Sequence, residues 1–456
     1  MSRDDELDGR LPWRILLAYS APSLPQGMLD VASSVFLMPY LATHVGIGLA
    51  TLGSAFFWVR LIDVGVDPVL GQLMDRTTTP LGRYRVWTLI GAPILMLAMY
   101  QLFMASKGID EAYIIVWVLV MYVATSIMGL AQSAWGATLA THYHERSRLY
   151  GVSTVVGICG AIIVLAAPVL VQALGQSDAS AVQSMGWLII VSTPLMAVLA
   201  AWLTPERLRP TIKSPKFAFR EYLSLVTKPD LFRLFLAQTA LTMGPGWMGA
   251  LYLFFFRDVL GFSVAQASLL LGVYTVVGLI GAPLTVRAAS RFGKHRTLIF
   301  TTTAYSVGLC AVVVLPQGDM RLASAIMAWC GVMAIGFGLI VQSMMADVAD
   351  EVRLEQGKER TSLIYAVNAL AAKVASAFSI IVAYPLLQAF GFNPADGAVN
   401  TPAAIMNLAV MFIAGPIVFV LLGGACIIGW TLTAERHAEI RRRLAAMDAT
   451  ATGRGG

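Results

Sequence analysis

Long apolar runs recur along the whole chain and constrain its fold more than any other feature. Only 13% of the 456 residues are charged, whereas a soluble protein of this size carries roughly 25%. A run of about 20 apolar residues is long enough to cross a bilayer as a helix. The runs lie near residues 17–43, 48–72, 86–106, 112–140, 149–174, 185–204, 232–257, 263–290, 297–316, 322–349, 361–389 and 404–432. The sequence therefore predicts an all-α polytopic membrane protein with twelve transmembrane helices.

The distribution of basic residues predicts the orientation of these spans. Of the 32 Lys and Arg residues, 27 fall on one side if both termini lie on that side. The other side holds only Lys107, Arg257 and Arg321, and Arg60 and Lys373 lie inside spans. Basic loops stay in the cytoplasm, so we expect both termini there and the protein in the plasma membrane, which is the inner membrane in a bacterium. Because the basic residues are dispersed over many loops, they indicate contact with anionic lipid and no nucleic-acid partner.

Two short repeats divide the chain into halves. "GRYR" begins at Gly82 and "GKHR" at Gly293, and "QS" occurs at residues 132–133 and again at 342–343, so the offsets are 211 and 210 residues. Two six-span halves in a parallel repeat are the organisation of major facilitator transporters. We therefore predict an N-terminal six-helix bundle (1–203), a cytoplasmic central loop (204–231), a C-terminal six-helix bundle (232–432) and a cytoplasmic tail (433–456).

Three charges interrupt the second apolar run. Arg60, Asp63 and Asp67 stand at positions i, i+3 and i+7, and these positions share one stripe of a helix. A charge in hydrocarbon costs at least a few kcal/mol, so the stripe must face the bundle interior. One interpretation is a structural ion pair between Arg60 and one aspartate. The other is a carboxylate pair that captures a cation or a proton, with the adjacent Pro68 loosening the backbone.

Two further charges lie inside predicted spans. Lys373 is the only basic residue within a span of the second half, with Asn368 on roughly an adjoining face of the same helix. Lys373 has two interpretations: it has a function inside the membrane, or its side chain snorkels to the membrane interface. Asp30, in the first span, either contacts substrate or pairs with Lys373. The proline-rich start of that span, "SAPSLPQG" (20–27), predicts a broken helix.

Three segments carry a family resemblance. "DPVLGQLMDRTTTPLGRYR" (67–85) and "MMADVADEVRLEQGKERTSLIYAVNALAAKVASAF" (344–378) resemble the span 2 and span 10–11 signatures of the glycoside–pentoside–hexuronide:cation symporters. "AQSAWGATLATHYHERSRL" (131–149) resembles a degraded version of that family's span 4 signature. These symporters are major facilitator proteins, so the resemblance implies the same twelve-helix fold.

The resemblance also implies roles for individual residues. Asp63 and Asp67 match the family's cation-site carboxylates, and Lys373 matches a lysine of its sugar and cation sites. The candidate substrate-binding residues are Asp30, Arg60, Gln132, Trp135, Gln342, Asn368 and Lys373. The candidate gating residues are Asp75, Arg76, Gly82, Arg83, Asp347, Asp350 and Arg360.

Several positions depart from the family pattern. Val66 stands where the family has an asparagine beside its cation site, and Gln132 stands in place of an acidic sugar contact. Gly338 replaces a tryptophan, Gln26–Gly27 replaces a lysine–aspartate pair, and an arginine of span 5 is missing. Because sodium needs several oxygen ligands whereas a proton needs one carboxylate, we expect proton coupling rather than sodium coupling. We do not expect melibiose to be a substrate, because most of the family's galactoside contacts are missing.

The sequence thus predicts a cation-coupled symporter of a sugar, glycoside or related small organic solute. A transporter of amphipathic lipid-like solutes and a non-transporting receptor or scaffold are the alternatives. No ATP-binding or catalytic motif occurs, so we expect no enzyme activity and no cofactor beyond the coupling ion, H⁺ or Na⁺. His142 and His144 resemble a solvated loop rather than a metal pair, so no metal site is predicted. The expected partners are a small-molecule solute, the coupling cation and the lipid bilayer, and we expect a monomer.

Overall fold

A computed structural model describes residues 11–140, 143–206, 228–356 and 361–453 of the chain. Within these ranges the protein is all helical, and its long helices occupy the positions of the predicted spans. They are α1 (Trp13–Val45), α2 (Leu49–Arg76), α3 (Tyr84–Phe103), α4 (Glu111–Leu139), α5 (Tyr143–Ala173), α6 (Asp178–Leu203), α7 (Pro229–Phe254), α8 (Val264–Phe292), α9 (Lys294–Cys310), α10 (Met320–Gln356), α11 (Thr361–Ala389), α12 (Pro402–Ala425) and the terminal α13 (Ala434–Gly453). The all-α polytopic fold is confirmed.

Eleven segments in the described ranges are long and apolar enough to cross a membrane. The helix at the predicted seventh span, α7, has 26 residues, and at about 1.5 Å per residue it also matches the thickness of a bilayer. Its polar residues, which include Asp230, Arg233 and Gln238, make it less apolar than those eleven segments. Large apolar side chains such as Leu170 and Ile280 are exposed on the spans, as a lipid-facing surface requires.

The first helix has an irregular backbone. A turn at residues 21–22 interrupts α1 after Ser20, and π-helical turns follow at Ala32–Leu37 and Leu41–Val45. The break confirms the prediction from the proline-rich start of this span. Such π-helical turns are frequent at functional sites, and the first of them begins two residues after Asp30. In contrast, α2 continues through Pro68 to Arg76.

The chain divides into two compact units. The first unit comprises Met1–Pro215, Gly249–Gly272 and Ile380–Leu408, and the second comprises Lys216–Met248, Val273–Ser379 and Ala409–Gly456. The first unit therefore contains the predicted N-terminal half together with two segments of the predicted C-terminal half. The predicted halves were drawn from the sequence repeat, whereas the two units are defined by how compactly their residues pack. The division into halves therefore stays a prediction.

A buried apolar cluster holds α1, α2, α4 and α5 together in the first unit. Leu16, Tyr19, Met74, Trp135 and Leu149 are among its members. Close packing of this kind restricts rotamers and helix register. It therefore sets the positions of the polar residues that α1, α2 and α4 contribute to the first unit.

Candidate functional site

Asp63 is the most deeply buried carboxylate of the predicted site. It lies on α2 with 1% of its side chain exposed. Ser126 Oγ, on α4, donates a 2.7 Å hydrogen bond to Asp63 Oδ1. Arg60 Nη1, one turn away on α2, lies 3.7 Å from Asp63 Oδ2. A buried carboxylate is stable only when it is paired and hydrogen-bonded, and Arg60 and Ser126 serve this purpose here.

Arg60 connects this carboxylate to α1 and α4. Its guanidinium carbon lies 4.1 Å from the centre of the Tyr122 ring on α4, which is within the range of a cation–π interaction. Arg60 and Tyr122 also interact electrostatically with Asp30 on α1. We call the set of Asp30, Arg60, Asp63, Tyr122 and Ser126 the carboxylate cluster. Its charge is negative when the two carboxylates are ionised, because the set contains two carboxylates and one guanidinium.

Asp67 lies one helical turn beyond Asp63 on the same stripe of α2 and is half-buried. The i, i+4 spacing places the two carboxylates on one face, as predicted. Val66, which precedes it, has an apolar side chain and therefore offers no oxygen ligand beside Asp67. The structure thus brings Asp30, Arg60, Asp63 and Asp67 to one part of the first unit.

Gln132 and Trp135 lie elsewhere in the first unit. Gln132 Nε2 donates to Ser23 Oγ (2.8 Å) and to the Tyr19 carbonyl (3.3 Å). Trp135 Nε1 donates to the Pro205 carbonyl at 3.1 Å, and only 1% of Trp135 is exposed. Six residues separate Gln132 from Ser126, which corresponds to about 9 Å along α4. Both side chains therefore join α4 to neighbouring segments at some distance from the carboxylate cluster.

The predicted substrate residues of the second unit differ in exposure. Gln342 on α10 is exposed, and its carbonyl accepts a 3.3 Å hydrogen bond from Tyr365 Oη on α11. Lys373 on α11 is half-buried. Asn368 is 7% exposed, and its buried Oδ1 has no hydrogen-bond partner within the described part of the chain. A buried acceptor without a donor costs about 1–3 kcal/mol, so Asn368 is suited to receive a donor from a solute.

The first set of predicted gating residues surrounds the start of α3. Gly82 has φ +116°, a conformation that favours glycine. The Glu206 carboxylate, which follows α6, accepts hydrogen bonds from the backbone N–H groups of Arg83 (2.7 Å), Tyr84 (2.7 Å) and Arg85 (3.2 Å). A carboxylate at this position satisfies the unpaired N–H groups of a helix start and opposes its positive dipole.

Two other members of that set are less constrained. Asp75 Oδ1 accepts a long, 3.5 Å hydrogen bond from Tyr84 Oη. Arg76 is exposed at the end of α2. Glu206 was not among the predicted gating residues, because a glutamate just after an apolar run resembles any interfacial charge.

The second set of predicted gating residues lies near α9 and α13. Lys294 Nζ, at the start of α9, lies 2.6 Å from Asp347 Oδ2 on α10. His437 Nε2, on α13, lies 3.0 Å from Asp350 Oδ2 and 3.5 Å from Asp347 Oδ1. The structure therefore connects α13 to the predicted gating carboxylates. Arg360 lies outside the described residues.

A polar cavity of about 430 Å³ lies in the first unit. It is at the ends of the helices that are opposite to Gly82 and Arg83. His44 Nδ1, near the end of α1, lies 2.6 Å from Asp396 Oδ2 in the segment that precedes α12. Arg257 and Asp258 form a second ion pair in the cavity wall, at 3.0 Å. Burial raises the pKa of Asp258 above its usual range, and the adjacent Arg257 opposes the effect.

Within the described residues, no group of three or more His, Cys, Asp or Glu side chains is placed to hold a metal ion. His142, one member of the His pair considered in the sequence, lies outside those residues. The carboxylate cluster therefore remains the concentration of membrane-embedded charge that most needs a functional explanation.

A family model described as "MFS/sugar transport protein" matches residues 18–434. The chain belongs to this family. It is therefore a membrane transporter and not an enzyme, as the sequence predicts. The family resemblance drawn from residues 67–85 and 344–378 is also confirmed.

Curated relatives are similar to the chain over most of its length. An uncharacterized symporter, YnaJ, of Bacillus subtilis is 22% identical over 94% of this chain and 94% of its own length. A glucuronide carrier protein homolog of Escherichia coli is 21% identical over 95% and 96% of the two chains. An isoprimeverose transporter of Lactiplantibacillus pentosus is 23% identical over 89% and 86%.

Solved structures show the same fold. The nucleoside transporter NupG superposes with a TM-score of 0.67 at 13% identity, over 91% of this chain and 100% of that one. A bacterial homolog of the human lysosomal transporter Spinster gives a TM-score of 0.63 at 13% identity, over 95% and 98% of the two chains. These two matches support the major facilitator fold.

The structure explains one departure of this MFS/sugar transport protein from the symporter pattern. A Cβ atom on Gly27 would lie 1.9 Å from the Gly157 carbonyl oxygen, so α1 and α5 approach each other too closely for an aspartate at this position. The neighbouring Gln26 has a buried Nε2 without a hydrogen-bond partner in the described part of the protein. A donor therefore remains near the position where the pattern has a lysine.

Sequence reasoning missed two residues of the carboxylate cluster, Tyr122 and Ser126, and named Gln26 only as a departure from the family pattern. Serine, tyrosine and glutamine are ordinary in membrane helices, so their composition carries little signal. The helical register of α4 could have indicated one pair, because Tyr122 and Ser126 are four residues apart and share a face. Ser126 contacts Asp63 and Tyr122 contacts Arg60, and both contacts depend on how α2 and α4 pack.

Proposed function

We propose that this transporter is a secondary symporter that moves a sugar, a glycoside or a related small organic solute inward together with a cation. Relatives named as carriers of lactose, isoprimeverose and raffinose support a sugar as the solute. The proposed orientation has both termini in the cytoplasm and the protein as a monomer in the plasma membrane. Gly82, Arg83, Asp347 and Asp350 are the proposed gating residues of the inner side.

The observation that carries this proposal is the environment of Asp63. Its carboxylate is buried, and its side-chain partners include a hydroxyl at 2.7 Å and a guanidinium at 3.7 Å. Asp63 and Asp67 stand one helical turn apart on one stripe of a membrane-spanning helix, where charged residues are rare and usually functional. A carboxylate pair of this kind is suited to bind a cation reversibly.

The proposed coupling ion is a proton in preference to sodium. A hard metal cation prefers several oxygen ligands, yet Val66 replaces one such ligand, and the Ser126 hydroxyl already donates to Asp63. A proton needs only one carboxylate oxygen. Protonation of Asp63 or Asp67 would also reduce the charge of the site without displacing Arg60.

Coupling follows from the free energy of charge burial. With the carboxylates ionised and no solute bound, rearrangement of the helices around the site moves carboxylate charge into low dielectric, which is costly. When cation and solute bind together, they neutralise the site. The transporter can then change between the state open to the outside and the state open to the inside. The two ligands therefore increase each other's affinity by the same factor.

Two buried polar atoms support a hydroxylated solute. Gln26 Nε2 is a donor and Asn368 Oδ1 is an acceptor, and neither has a hydrogen-bond partner within the described residues. Each atom by itself suits a hydroxyl group: a hydroxyl oxygen can accept from Gln26 in the first unit, and a hydroxyl can donate to Asn368 in the second. Each bond removes a desolvation cost of about 1–3 kcal/mol, which favours binding of a polar ligand. We propose that Lys373, Gln342, Asp30 and Arg60 also contribute to solute binding.

Asp63→Asn tests the proposed cation site. Glucuronides, lactose, isoprimeverose and raffinose are added to energy-depleted, lightly buffered vesicles while the external pH is recorded. We expect alkalinisation with at least one sugar in the wild type and none with Asp63→Asn. Because amide and carboxylate have nearly the same shape, downhill exchange of the labelled sugar should continue in the variant.

Asp110→Asn is the matched control, because it makes the same change at an exposed carboxylate before α4. It should leave alkalinisation unchanged. Full uphill accumulation of the sugar by Asp63→Asn would refute the assignment of Asp63. A signal that requires added sodium would replace the proton with sodium as coupling ion.

A further inference from the structure

The second unit contains a cavity of about 330 Å³ that the carboxylate cluster does not use. Ligand pockets in proteins measure about 300–1,000 Å³, so the cavity can hold a small chemical group. Its walls come from the central parts of α7, α8 and α10. The lining residues include Gln238, Leu241, Thr242, Pro245, Tyr274, Thr275, Ile335, Phe337 and Gly338.

One edge of the cavity is polar. Gln238 Nε2 donates a 2.9 Å hydrogen bond to Thr242 Oγ1 one turn further along α7, and Thr275 of α8 also lines the cavity. Polar side chains in the middle of a membrane span face the protein interior or a water-filled space rather than lipid. The polar edge therefore indicates that this side of the cavity does not face lipid.

The remaining wall is apolar and partly aromatic. Leu241, Pro245, Tyr274 and Phe337 form much of it. Phe337 is 4% exposed, and the buried Tyr305 ring packs against it edge to face, with 5.4 Å between the ring centres. This aromatic packing fixes the position of Phe337. The wall is thus formed before any ligand binds, which reduces the entropy lost on binding.

The cavity includes the open space over Gly338. A Cβ atom at Gly338 would meet no atom within 4 Å, so no packing constraint in the described residues requires glycine there. The symporter pattern has a tryptophan at this position. In this chain the space of that side chain is left open next to Phe337.

We propose that this cavity is a subsite for a flat apolar substituent of the transported solute, such as the aromatic aglycone of a glycoside. The proposal rests on the proposed function and specifies the solute more closely. The aglycone packs against Tyr274, Phe337 and Pro245. The polar edge formed by Gln238, Thr242 and Thr275 faces the linking oxygen and the sugar. Burial of one aromatic ring supplies a preference for the substituted solute over the bare sugar.

The test compares matched glycosides that differ only in the aglycone. Methyl and 4-nitrophenyl glycosides of glucuronic acid, xylose and galactose are assayed for uptake by vesicles containing the full-length protein. For the transported sugar, we expect the KM of the nitrophenyl glycoside to be at least about tenfold lower in the wild type. Gly338→Trp fills the cavity and should abolish this preference, while the KM of the methyl glycoside changes by less than about twofold.

Gly338→Ala is the size control and should retain the preference, since one methyl group leaves most of the cavity open. Ala334→Phe fills the same cavity from a second position on α10 and should act as Gly338→Trp does. The melting temperature of each purified variant is measured first. If Gly338→Trp does not fold, Ala334→Phe provides the same comparison.

The outcomes separate the two proposals. Equal KM values for the methyl and nitrophenyl glycosides in the wild type, or an equal increase for both in the cavity-filling variants, would overturn the subsite and leave the sugar symporter standing. Uptake of none of the glycosides or sugars would overturn the sugar symporter and the subsite together. Uptake of a lysophospholipid instead of the glycosides and sugars would also overturn both proposals. It would identify an acyl chain as the occupant of the cavity.

Discussion

The two loops of the sequence repeat, at Gly82 and Gly293, share a glycine with positive φ but have different partners. Gly82 precedes α3 with φ +116°, and Gly293 precedes α9 with φ +91°. Each glycine turns the chain toward the start of a helix. A basic residue follows each glycine directly, namely Arg83 in the first loop and Lys294 in the second. The similarity in sequence predicts the similarity of the two turns, because positive φ is a local property of glycine.

The partners of the two loops differ in kind. Glu206 binds three successive backbone N–H groups at the start of α3, at 2.7, 2.7 and 3.2 Å. At the start of α9, the side chain of Lys294 binds Asp347 at 2.6 Å and the Ser343 carbonyl at 3.3 Å. The first attachment uses backbone atoms that cannot rotate away. The second uses a flexible ammonium whose side chain is 34% exposed.

The comparison indicates that the first loop is fixed and the second is more easily released. A carboxylate on helix N–H groups forms charge-assisted hydrogen bonds. A partly exposed Lys–Asp pair contributes about 0–1 kcal/mol and weakens with salt. If these loops gate the inner side, as we propose, we expect the second to open at a lower free-energy cost.

The largest expected effect comes from adding a methyl group to each glycine. A Cβ at Gly82 would lie 2.0 Å from Glu206 Oε2, whereas the nearest atom to a Cβ at Gly293 is His295 Cε1, at 3.5 Å. Both Ala variants incur backbone strain of about 1–3 kcal/mol, but only Gly82→Ala also displaces Glu206. The melting temperature should fall clearly further for Gly82→Ala than for Gly293→Ala. Equal decreases would remove the distinction between the loops.

A smaller effect is expected when each carboxylate is neutralised. Glu206→Gln weakens three hydrogen bonds to the start of α3, and we expect a loss of about 1–3 kcal/mol in unfolding free energy. Asp347→Asn should cost about 1 kcal/mol or less. Hydrogen exchange locates the effect, because the amides of residues 83–85 should exchange faster in Glu206→Gln and not in Asp347→Asn. A larger loss from Asp347→Asn would reverse the comparison.

The smallest expected effect distinguishes the two attachments by their salt dependence. Lys294→Met removes the ion pair while retaining an apolar stem, and should lower the stability by about 0.5–1 kcal/mol at low salt. In 1 M salt the Debye length falls to about 3 Å, so the difference from the wild type should nearly vanish. The effect of Glu206→Gln should persist in the same buffer. A salt-independent effect of Lys294→Met would show that the second attachment is as rigid as the first.

The candidate site was predictable to different degrees. The stripe of Arg60, Asp63 and Asp67 follows from helical spacing and from the cost of charge in a membrane, and the structure places Arg60 and Asp63 together as expected. Gln132 and Trp135 also lie on the predicted helix, but the sequence did not predict that Ser23 and the Pro205 carbonyl are their partners. Such partners depend on which faces of two helices pack, and apolar spans carry little signal for that choice.

The sequence by itself determined the all-α fold, the approximate ends of the membrane-spanning helices and the positions of charge within them. These properties are local, because the thickness of a bilayer and the period of a helix act on consecutive residues. The tertiary structure alone decided that Ser126 reaches Asp63 across 63 residues and that Glu206 reaches Arg83 across 123 residues. Contacts of this kind depend on helix rotation and close packing, which arise only when the whole bundle is assembled.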